Sequence, residues 1–324
     1  MNEWEDYSSA LDRAAKVIDD AELVVLACHV NPDGDALGSM LALHLALLAA
    51  GRRSVASFPA PFVVAPHYRE LPGLDRLVPP SEVPEAPDVM VTFDCGAMNR
   101  LAGLQPTAER AGELIVLDHH ISNERYGTVN VIDSDAAATG VVVHRLIGRL
   151  GLPLTDGSAI ALYAALVCDT GRFQYETTTP EVFALAGELV GYDVPVARLS
   201  RTLFEEHRFA YLQLLAEALA AAELVREQRF VWTAVTQEML ARHGVALEEI
   251  EGLIDVVRRT AEADIACVLK EEADGSVKVS LRSVGDSDVR LVASAYGGGG
   301  HRFAAGFTST VGIAETVDRI RAAL

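Results

Sequence analysis

The sequence predicts an α/β protein with two domains, an N-terminal domain built on a mostly parallel sheet with flanking helices and a smaller C-terminal α/β domain. Short apolar runs alternate with helical segments through the first half of the chain. Several of these runs end directly at an aspartate or a histidine, as strands do when ligands lie at the carboxyl edge of a sheet. The length of 324 residues allows two separate cores.

The elements of the first domain follow from apolar periodicity and chain breakers. Gly51 provides a C-cap for the helix before it, and the proline-rich stretch 59–87 predicts loop and short turns. Helices are expected at 8–20, 36–50, 139–150 and 158–167, and strands at 22–28, 54–58, 89–93 and 114–117.

The second half of the chain changes character after residue 190. A Leu- and Ala-rich helical stretch suggests a connector, and the turn Asp274-Gly275 predicts a hairpin. Strands are expected at 229–235, 264–271 and 276–282, followed by a glycine run, a last strand and a helix at 313–324. The predicted bounds are 1–190 for the first domain, 191–225 for a helical linker and 226–324 for the second domain.

Composition and charge exclude some classes of partner. The formal net charge of −19 argues against long duplex nucleic acid, whose binding needs a broad basic surface, but not against a small phosphorylated ligand in a cleft that holds cations. No apolar run is long enough to cross a bilayer, and the acidic N-terminus lacks the pattern of a signal peptide. We therefore expect a cytoplasmic protein, in which the cysteines 28, 95, 168 and 267 are buried thiols.

The first motif, His29-Val-Asn-Pro-Asp-Gly-Asp, follows a predicted buried strand. Gly34 lets the chain bend so that the carboxylates of Asp33 and Asp35 can converge near His29. The motif alone fits an ordinary surface turn or a helix cap equally well.

Three further motifs occur at similar places. Asp94 ends one predicted strand, Asp118-His119-His120 ends the next, and Asp169 closes a buried helix. Asp94 and Asp169 could each be a simple cap, and the histidines could be loop residues. Their joint presence favours a site for two metal ions, in which a shared carboxylate lets one ion activate water and the other orient a phosphate. The mixture of carboxylates and imidazoles favours Mn²⁺, with Mg²⁺ as a possible substitute.

The second domain carries a candidate phosphate site. The run Gly297 to Gly300 offers consecutive backbone amides, and His301 follows directly. Arg282, in Leu-Arg-Ser with Ser283, provides a bidentate fork. The glycine run could also be a flexible hinge.

Together these motifs resemble those of the DHH phosphoesterase superfamily with its DHH-associated domain, and the short two-domain form looks like the NrnA-type oligoribonuclease and pAp phosphatase proteins. The resemblance covers nearly the whole chain. It implies that His29, Asp33 and Asp94 hold one Mn²⁺, and that Asp94 is shared with a second ion. The ligands implied for that second ion are Asp35, Asp94, His119 and Asp169.

The same resemblance assigns the remaining roles. His120 contacts the scissile phosphate or protonates the leaving group, and Asp118 orients the histidines. The implied substrate contacts are Arg100, Asn123, Arg282, Ser283, Gly298, Gly299, Gly300 and His301. It also implies a homodimer.

The expected activity is hydrolysis of short oligoribonucleotides, including pApA from cyclic di-AMP turnover, and of pAp to AMP. Short RNAs and adenosine nucleotides are thus the expected partners, with no membrane. A main role as a cyclic di-AMP phosphodiesterase, or a RecJ-like exonuclease, stays open. An inorganic pyrophosphatase is disfavoured by the Gly-Gly-Gly-Gly-His segment, and a non-catalytic nucleotide sensor by the complete ligand set.

Overall fold

The computed structural model describes residues 6–324 and divides into two compact units, Met1–Leu203 and Phe204–Leu324. The predicted α/β class is confirmed, because a parallel five-stranded sheet with flanking helices forms the first unit and a mixed six-stranded sheet the second. The acidic segment 1–5, on which the expected localisation partly rests, lies outside the described residues. The division between the units falls inside the predicted linker, and the domain bounds themselves stay a prediction.

The first unit alternates strands and helices along the chain. Its strands are β1 (Val24–Cys28), β2 (Ser54–Ser57), β3 (Val89–Phe93), β4 (Glu113–Asp118) and β5 (Val129–Ile132). Its helices are α1 (Tyr7–Asp20), α2 (Gly34–Ala49), α3 (Gln105–Glu109), α4 (Thr139–Arg149), α5 (Asp156–Asp169), α6 (Pro180–Val190) and α7 (Val196–Phe204). Short 3₁₀ turns occupy much of the stretch between β2 and β3, as the prolines there predict.

The five strands lie in the order β2-β1-β3-β4-β5, all parallel. Every residue of β1 and β3 is buried, which explains why these strands read as unbroken apolar runs. Because the strands are parallel, the residues that follow β1, β3 and β4 come to the same edge of the sheet. This topology brings the predicted motifs together.

Helices α2 and α5 pack closely inside the first unit, and both are apolar on nearly all sides. Gly38 permits the contact, since a Cβ atom there would lie 2.4 Å from the backbone oxygen of Ala161. The N-terminus of α2 and the C-terminus of α5 carry Asp35 and Asp169. The tight helix pair therefore fixes two predicted ligands relative to each other.

The second unit contains the remaining elements. Its strands are β6 (Glu223–Val225), β7 (Phe230–Val235), β8 (Ile265–Glu271), β9 (Val277–Ser283), β10 (Gly299–His301) and β11 (Ala304–Ser309). Its helices are α8 (Phe209–Ala220), α9 (Gln237–His243), α10 (Leu253–Val257), α11 (Val289–Ala295) and α12 (Ile313–Ala323).

The second sheet has the order β10-β11-β9-β8-β7-β6, and only the β7–β8 pair is parallel. One face packs against α8 to α10 and the other against α11 and α12. The predicted hairpin joins β8 to β9, with Gly275 at φ 85° in the turn. Helix α8 lies in the predicted linker, yet it contributes Tyr211, Leu214 and Ala218 to the core of this unit.

Several elements were not predicted, among them β5, β6, α3, α6 and α9 to α11. Strand β5 has four residues, and only Val129 and Val131 are buried, so its signal is short. Helix α6 begins after Thr179, whose side chain accepts a hydrogen bond from Val182, with Pro180 at the first helical position. Threonine followed by proline is a regular helix-start signal, so this helix was predictable from the sequence. Across residues 6–324, every helix is too short or too polar to span a bilayer.

Candidate metal centre

Six predicted ligands converge at the carboxyl edge of the first sheet. His29 follows β1, Asp94 follows β3, and His119 follows β4. Asp33 caps α2 through a bond from the Ala36 amide to Oδ1 of 3.0 Å, and Asp35 lies in the first turn of the same helix. Asp169 is the last residue of α5.

These side chains form two groups that share Asp94. In the first group, Nε2 of His29 lies 3.9 Å from Oδ2 of Asp33 and 3.6 Å from Oδ2 of Asp94. In the second, Nε2 of His119 lies 3.8 Å from Oδ2 of Asp35 and 3.6 Å from Oδ1 of Asp94. In each group, one candidate ligand atom per residue lies within 4.8 Å of the others.

Asp169 extends the second group. Its Oδ2 lies 3.0 Å from Nε2 of His119, and its side chain is 29% exposed, whereas Asp94 and His119 are buried. The second group thus has three carboxylates and one imidazole, with an opening beside Asp169.

Backbone carbonyls lie beside both histidine rings. Nδ1 of His119 lies 3.1 Å from the Ala136 oxygen, and Nδ1 of His29 lies 2.9 Å from the Val30 oxygen. When Nδ1 of His119 donates to that carbonyl, the neutral ring keeps its lone pair on Nε2, which faces the carboxylates. The ring of His119 is therefore held as a metal ligand is. Nδ1 of His29 also lies 2.9 Å from Nη2 of Arg100, which can only donate, so its contacts with Arg100 and with the Val30 carbonyl need different tautomers of the ring.

Asp35 is fully buried and is held by three donors. Its oxygens accept hydrogen bonds from the Ser39 hydroxyl at 3.0 Å, the Thr139 amide at 2.6 Å and the Gly140 amide at 3.0 Å. Two of these donors belong to the first turn of α4, more than 100 residues away in the chain. Sequence reasoning did not single out Thr139, since a threonine at a helix start is commonplace.

The buried carboxylates of this cluster repel one another, so bound cations would stabilise them. Burial, followed by the carboxylates of Asp94 and Asp169, raises the pKa of Asp35 well above its ordinary range. Burial also opposes ionisation of Asp94, but the histidines around it bring its pKa below the ordinary value. The pKa of His119 is raised against the effect of burial by its bond to Asp169 and by Asp94 and Asp35. Such a set of carboxylates and imidazoles fits divalent cations of the Mn²⁺ or Mg²⁺ kind.

Asp118 has a different role. It is fully buried, and its Oδ1 accepts bonds from the amides of His119 at 2.8 Å and His120 at 3.2 Å and lies 2.7 Å from Nδ1 of His120. Its Oδ2 accepts a bond from the Asn123 side chain. Although Asp94, Asp118 and His120 also lie close enough to hold an ion, these bonds occupy the oxygens of Asp118. Asp118 therefore orients the two histidines.

His120 lies at the side of the cluster. Burial alone lowers its pKa, but the carboxylates of Asp94 and Asp118 raise it to about 9. Its Nδ1 lies 2.7 Å from Oδ1 of Asp118, which fixes the orientation of the ring. A protonated imidazole held this way can bind a phosphate or give up a proton.

Asp94 has a strained backbone, with φ at 54°. The next carbonyl, that of Cys95, accepts bonds from the Asn123 side chain at 3.3 Å and the Tyr126 hydroxyl at 2.9 Å. These two donors hold the turn in a conformation that a residue other than glycine adopts at a cost of about 1–3 kcal/mol. Asn123 therefore supports both Asp94 and Asp118.

The predicted substrate residues of the first unit lie next to this cluster. Nη2 of Arg100 is 2.9 Å from Nδ1 of His29, and the Arg100 carbonyl accepts a bond from the Val30 amide. The side-chain amide of Asn123 bonds to the Cys95 carbonyl and to Asp118, and its side-chain oxygen accepts the Arg125 amide. The predicted substrate contacts of both residues stay predictions.

The predicted substrate residues of the second unit lie on β9 and β10. Arg282 is half-buried near the end of β9, and the hydroxyl of Ser283 bonds to the carbonyls of Ser287 and Arg302. The glycine run is more structured than the expected loop. The amides of Gly297 and Gly298 bond to the carbonyls of Ser294 and Ala293 at the end of α11.

Gly299, Gly300 and His301 form β10, which is an edge strand of the second sheet. An edge strand leaves alternate backbone groups unpaired by the sheet, so β10 still has amides to offer. Glycine is needed nearby because a Cβ on Gly298 would lie 2.1 Å from the Gly306 oxygen. The amides of Gly297 and Gly298 are therefore already bonded within the protein, and the phosphate contacts predicted for the run stay a prediction.

Comparison with known proteins identifies the families of the two units. The model of the DHH family, N-terminal domain, matches residues 23–168, and the DHHA1 domain matches residues 230–324. The bifunctional oligoribonuclease and PAP phosphatase NrnA of Thermus thermophilus is 33% identical over 287 residues, which cover 88% of this chain and 83% of the relative. The NrnA protein of Bacillus subtilis with the same description is 26% identical over 307 residues, 94% of each chain.

A solved structure supports the fold. An exopolyphosphatase-related protein from Bacteroides fragilis superposes with a TM-score of 0.89 at 23% identity, covering 98% of this chain and 95% of its own. At that identity the likeness shows the shared architecture.

Proposed function

This chain belongs to the DHH family, and from that premise we propose that it is a metal-dependent phosphoesterase that hydrolyses short oligoribonucleotides and pAp. The substrates named for its relatives support this choice. The single observation that carries the proposal is the pair of ligand groups that share Asp94, with His120 held beside them by Asp118.

The ligand assignment follows the geometry. His29, Asp33 and Asp94 would hold one ion, and the other would be held by Asp35, Asp94, His119 and Asp169. Bound divalent ions supply Lewis-acid activation of the phosphoryl group and of the attacking water. We propose Mn²⁺ as the preferred ion, because two imidazoles accompany the carboxylates, with Mg²⁺ as a substitute.

The remaining groups of the first unit serve the reaction by position and charge. In hydrolysis, water adds to phosphorus, the bond from phosphorus to the 3′ oxygen breaks, and that oxygen takes up a proton. The imidazolium of His120, oriented by Asp118, can donate that proton or stabilise the phosphoryl charge. Arg100, whose guanidinium lies beside His29, is proposed to contact a phosphate oxygen.

Arg282, His301 and the β10 glycines are proposed to bind the substrate through its phosphate. Ser283 would keep the end of β9 in place, since its hydroxyl bonds to two loop carbonyls. We further propose that the protein is a cytoplasmic homodimer, and that its domains have the bounds 1–190 and 226–324 with a linker at 191–225.

A substrate panel tests the proposal. Purified protein with Mn²⁺ is incubated separately with pApA, pAp, cyclic di-AMP, a 24-nucleotide RNA and pyrophosphate, and products are separated by chromatography. We expect fastest turnover of pApA and turnover of pAp. Preferred cleavage of cyclic di-AMP or of the 24-mer would favour the alternative activities, and turnover of pyrophosphate alone would refute the proposal.

Two matched variants complete this experiment. Asp94→Asn removes the shared carboxylate, and we expect it to abolish turnover of every substrate in the panel. Asp135→Asn makes the same chemical change at an exposed loop position and should leave turnover unchanged. Equal activity of the two variants would show that the hydrolysis does not come from this site.

A further inference from the structure

The N-terminus of α4 is capped by a residue from another helix. The residue before α4 is Ala138, whose methyl group makes no cap hydrogen bond. The amides of Thr139 and Gly140 instead donate to the two oxygens of Asp35. A carboxylate in this place satisfies helix amides that would otherwise lack acceptors and interacts favourably with the helix dipole.

Thr139 also bonds to the shared carboxylate. Its side-chain hydroxyl donates to Oδ1 of Asp94 at 2.9 Å, and the residue is fully buried. One residue thus contacts two proposed ligands, Asp35 through its backbone and Asp94 through its side chain. These ligands come from α2 and from the end of β3, so Thr139 joins separate elements at the site.

The position of this contact is fixed by packing. A Cβ on Gly140 would lie 2.8 Å from the Ala165 side chain on α5 and 3.6 Å from Oδ1 of Asp35. The first turn of α4 therefore lies against α5 and Asp35 with no room for a larger residue. It follows that the Thr139 hydroxyl is presented to Asp94 by a rigid backbone.

The bond fixes how the two oxygens of Asp94 are divided. Oδ1, which accepts from Thr139, faces His119 at 3.6 Å, and Oδ2 faces His29 at the same distance. Rotation of the carboxylate would move both oxygens away from these directions. A single hydroxyl thus holds one oxygen of Asp94 toward each ligand group.

We propose that Thr139 is the positioning residue that sets the carboxylate of Asp94 for binding two ions at once. This role rests on the proposed metal-dependent function and adds a residue to it. Substitutions of groups that orient metal ligands typically cost 10- to 100-fold in metal affinity or activity. Since Asp94 belongs to both groups, loss of the Thr139 hydroxyl should weaken both ions.

The test compares Thr139→Val, Thr139→Ser and wild type, with Thr233→Val as the control. Valine keeps the shape and the backbone amide but removes the hydroxyl, whereas serine keeps the hydroxyl. Thr233 is also fully buried, and its hydroxyl donates to the Ala218 carbonyl within the second unit, to which none of the proposed metal ligands belongs. Mn²⁺ affinity and stoichiometry are measured by calorimetry, pApA turnover by chromatography, and metal-free folding by thermal unfolding.

We expect Thr139→Val to bind Mn²⁺ 10- to 100-fold more weakly, with a similar fall in kcat, at a temperature where the metal-free protein is folded. The Mn²⁺ affinity and kcat of Thr139→Ser should stay within about threefold of wild type. Thr233→Val should be less stable than wild type but keep its Mn²⁺ affinity and kcat. Wild-type Mn²⁺ affinity in Thr139→Val would overturn the inference, as would equal losses in the serine and valine variants.

Failure of the proposed function, and failure of Thr139→Val to fold, can each be distinguished from failure of the inference about Thr139. If wild type itself neither binds Mn²⁺ nor hydrolyses pApA, the proposed function fails, whatever the variants do. If Thr139→Val does not fold, Thr139→Ala takes its place, because it removes the hydroxyl without placing a methyl group against Asp94. Wild-type affinity in that variant would equally overturn the inference.

Discussion

Replacing Asp118 by asparagine separates orientation of the histidines from metal binding. The carboxamide can keep its oxygen where Oδ1 now accepts the amides of His119 and His120 and meets the His120 ring. Its NH₂ group then replaces Oδ2 and faces the NH₂ group of Asn123, so that two donors meet in a buried place. The variant also removes the charge that helps to keep His120 protonated.

The size of the effect follows from these contacts. A hydrogen bond to a charged group contributes about 1.5–3 kcal/mol, and a buried donor without an acceptor costs about 1–3 kcal/mol. We therefore expect the free energy of unfolding to fall by about 2–3 kcal/mol. Losing the oriented imidazolium should lower kcat for pApA by about 10²- to 10⁴-fold, the usual range for a general acid.

The assay combines urea unfolding, Mn²⁺ calorimetry and pApA kinetics on Asp118→Asn and on Asp35→Asn. Asp118→Asn should bind two Mn²⁺ ions with nearly the wild-type affinity while kcat falls. Asp35→Asn should lose metal binding, because Asp35 is a proposed ligand. If Asp118→Asn lost Mn²⁺ affinity as severely as Asp35→Asn, Asp118 would be a ligand and the reasoning would be refuted.

Three further predictions concern stability. Burial, and to a smaller extent Arg76, lowers the pKa of His44 from 6.5 to about 4, so the unfolded chain takes up the proton first as the pH falls. The contribution of neutral His44 to the free energy of unfolding is then fully present above pH 6.5 and falls by about 3 kcal/mol toward pH 4. Urea unfolding of His44→Gln should lack this part of the pH dependence. Saturating Mn²⁺ should stabilise the folded protein by about 2.7 kcal/mol for each bound ion at one hundred times its Kd, and so raise Tm. EDTA should reverse the rise, and an unchanged Tm would contradict the metal site. Gly298→Ala should destabilise the protein by about 1–3 kcal/mol or more in urea unfolding, because the new Cβ meets the Gly306 oxygen, whereas Gly299→Ala, with open space around it, should not.

The sequence was sufficient for the fold class and for the places where the motifs lie. Strands β1, β3 and β4 are nearly continuous apolar runs, and His29, Asp94 and His119 directly follow them, so the parallel topology implied their meeting. The short edge strand β5 was missed because only two of its four residues are buried.

The support of the ligands could not be predicted. The bonds from Thr139 to Asp35 and Asp94 span 104 and 45 positions, and no local pattern distinguishes this threonine from other helix-starting residues. Asn123 illustrates the converse. Its place after the two histidines predicts a substrate contact, which stays a prediction, whereas its bonds to Cys95 and Asp118, which support the site, were not expected.

Ligand positions could be predicted from the sequence and supporting donors could not, because the two depend on different features of the fold. A ligand must lie at the end of a strand or helix to reach the site, so its position along the chain follows from the elements themselves. A supporting donor needs only to be near in space, and α4 supplies Thr139 because its first turn packs against α5 through Gly140. Asp35 then serves both structure and site, since it satisfies the first amides of α4 while its Oδ2 faces His119. Any change that shifts α4 relative to α5 must therefore act on the proposed metal ligands Asp35 and Asp94, even when it lies outside every recognisable motif.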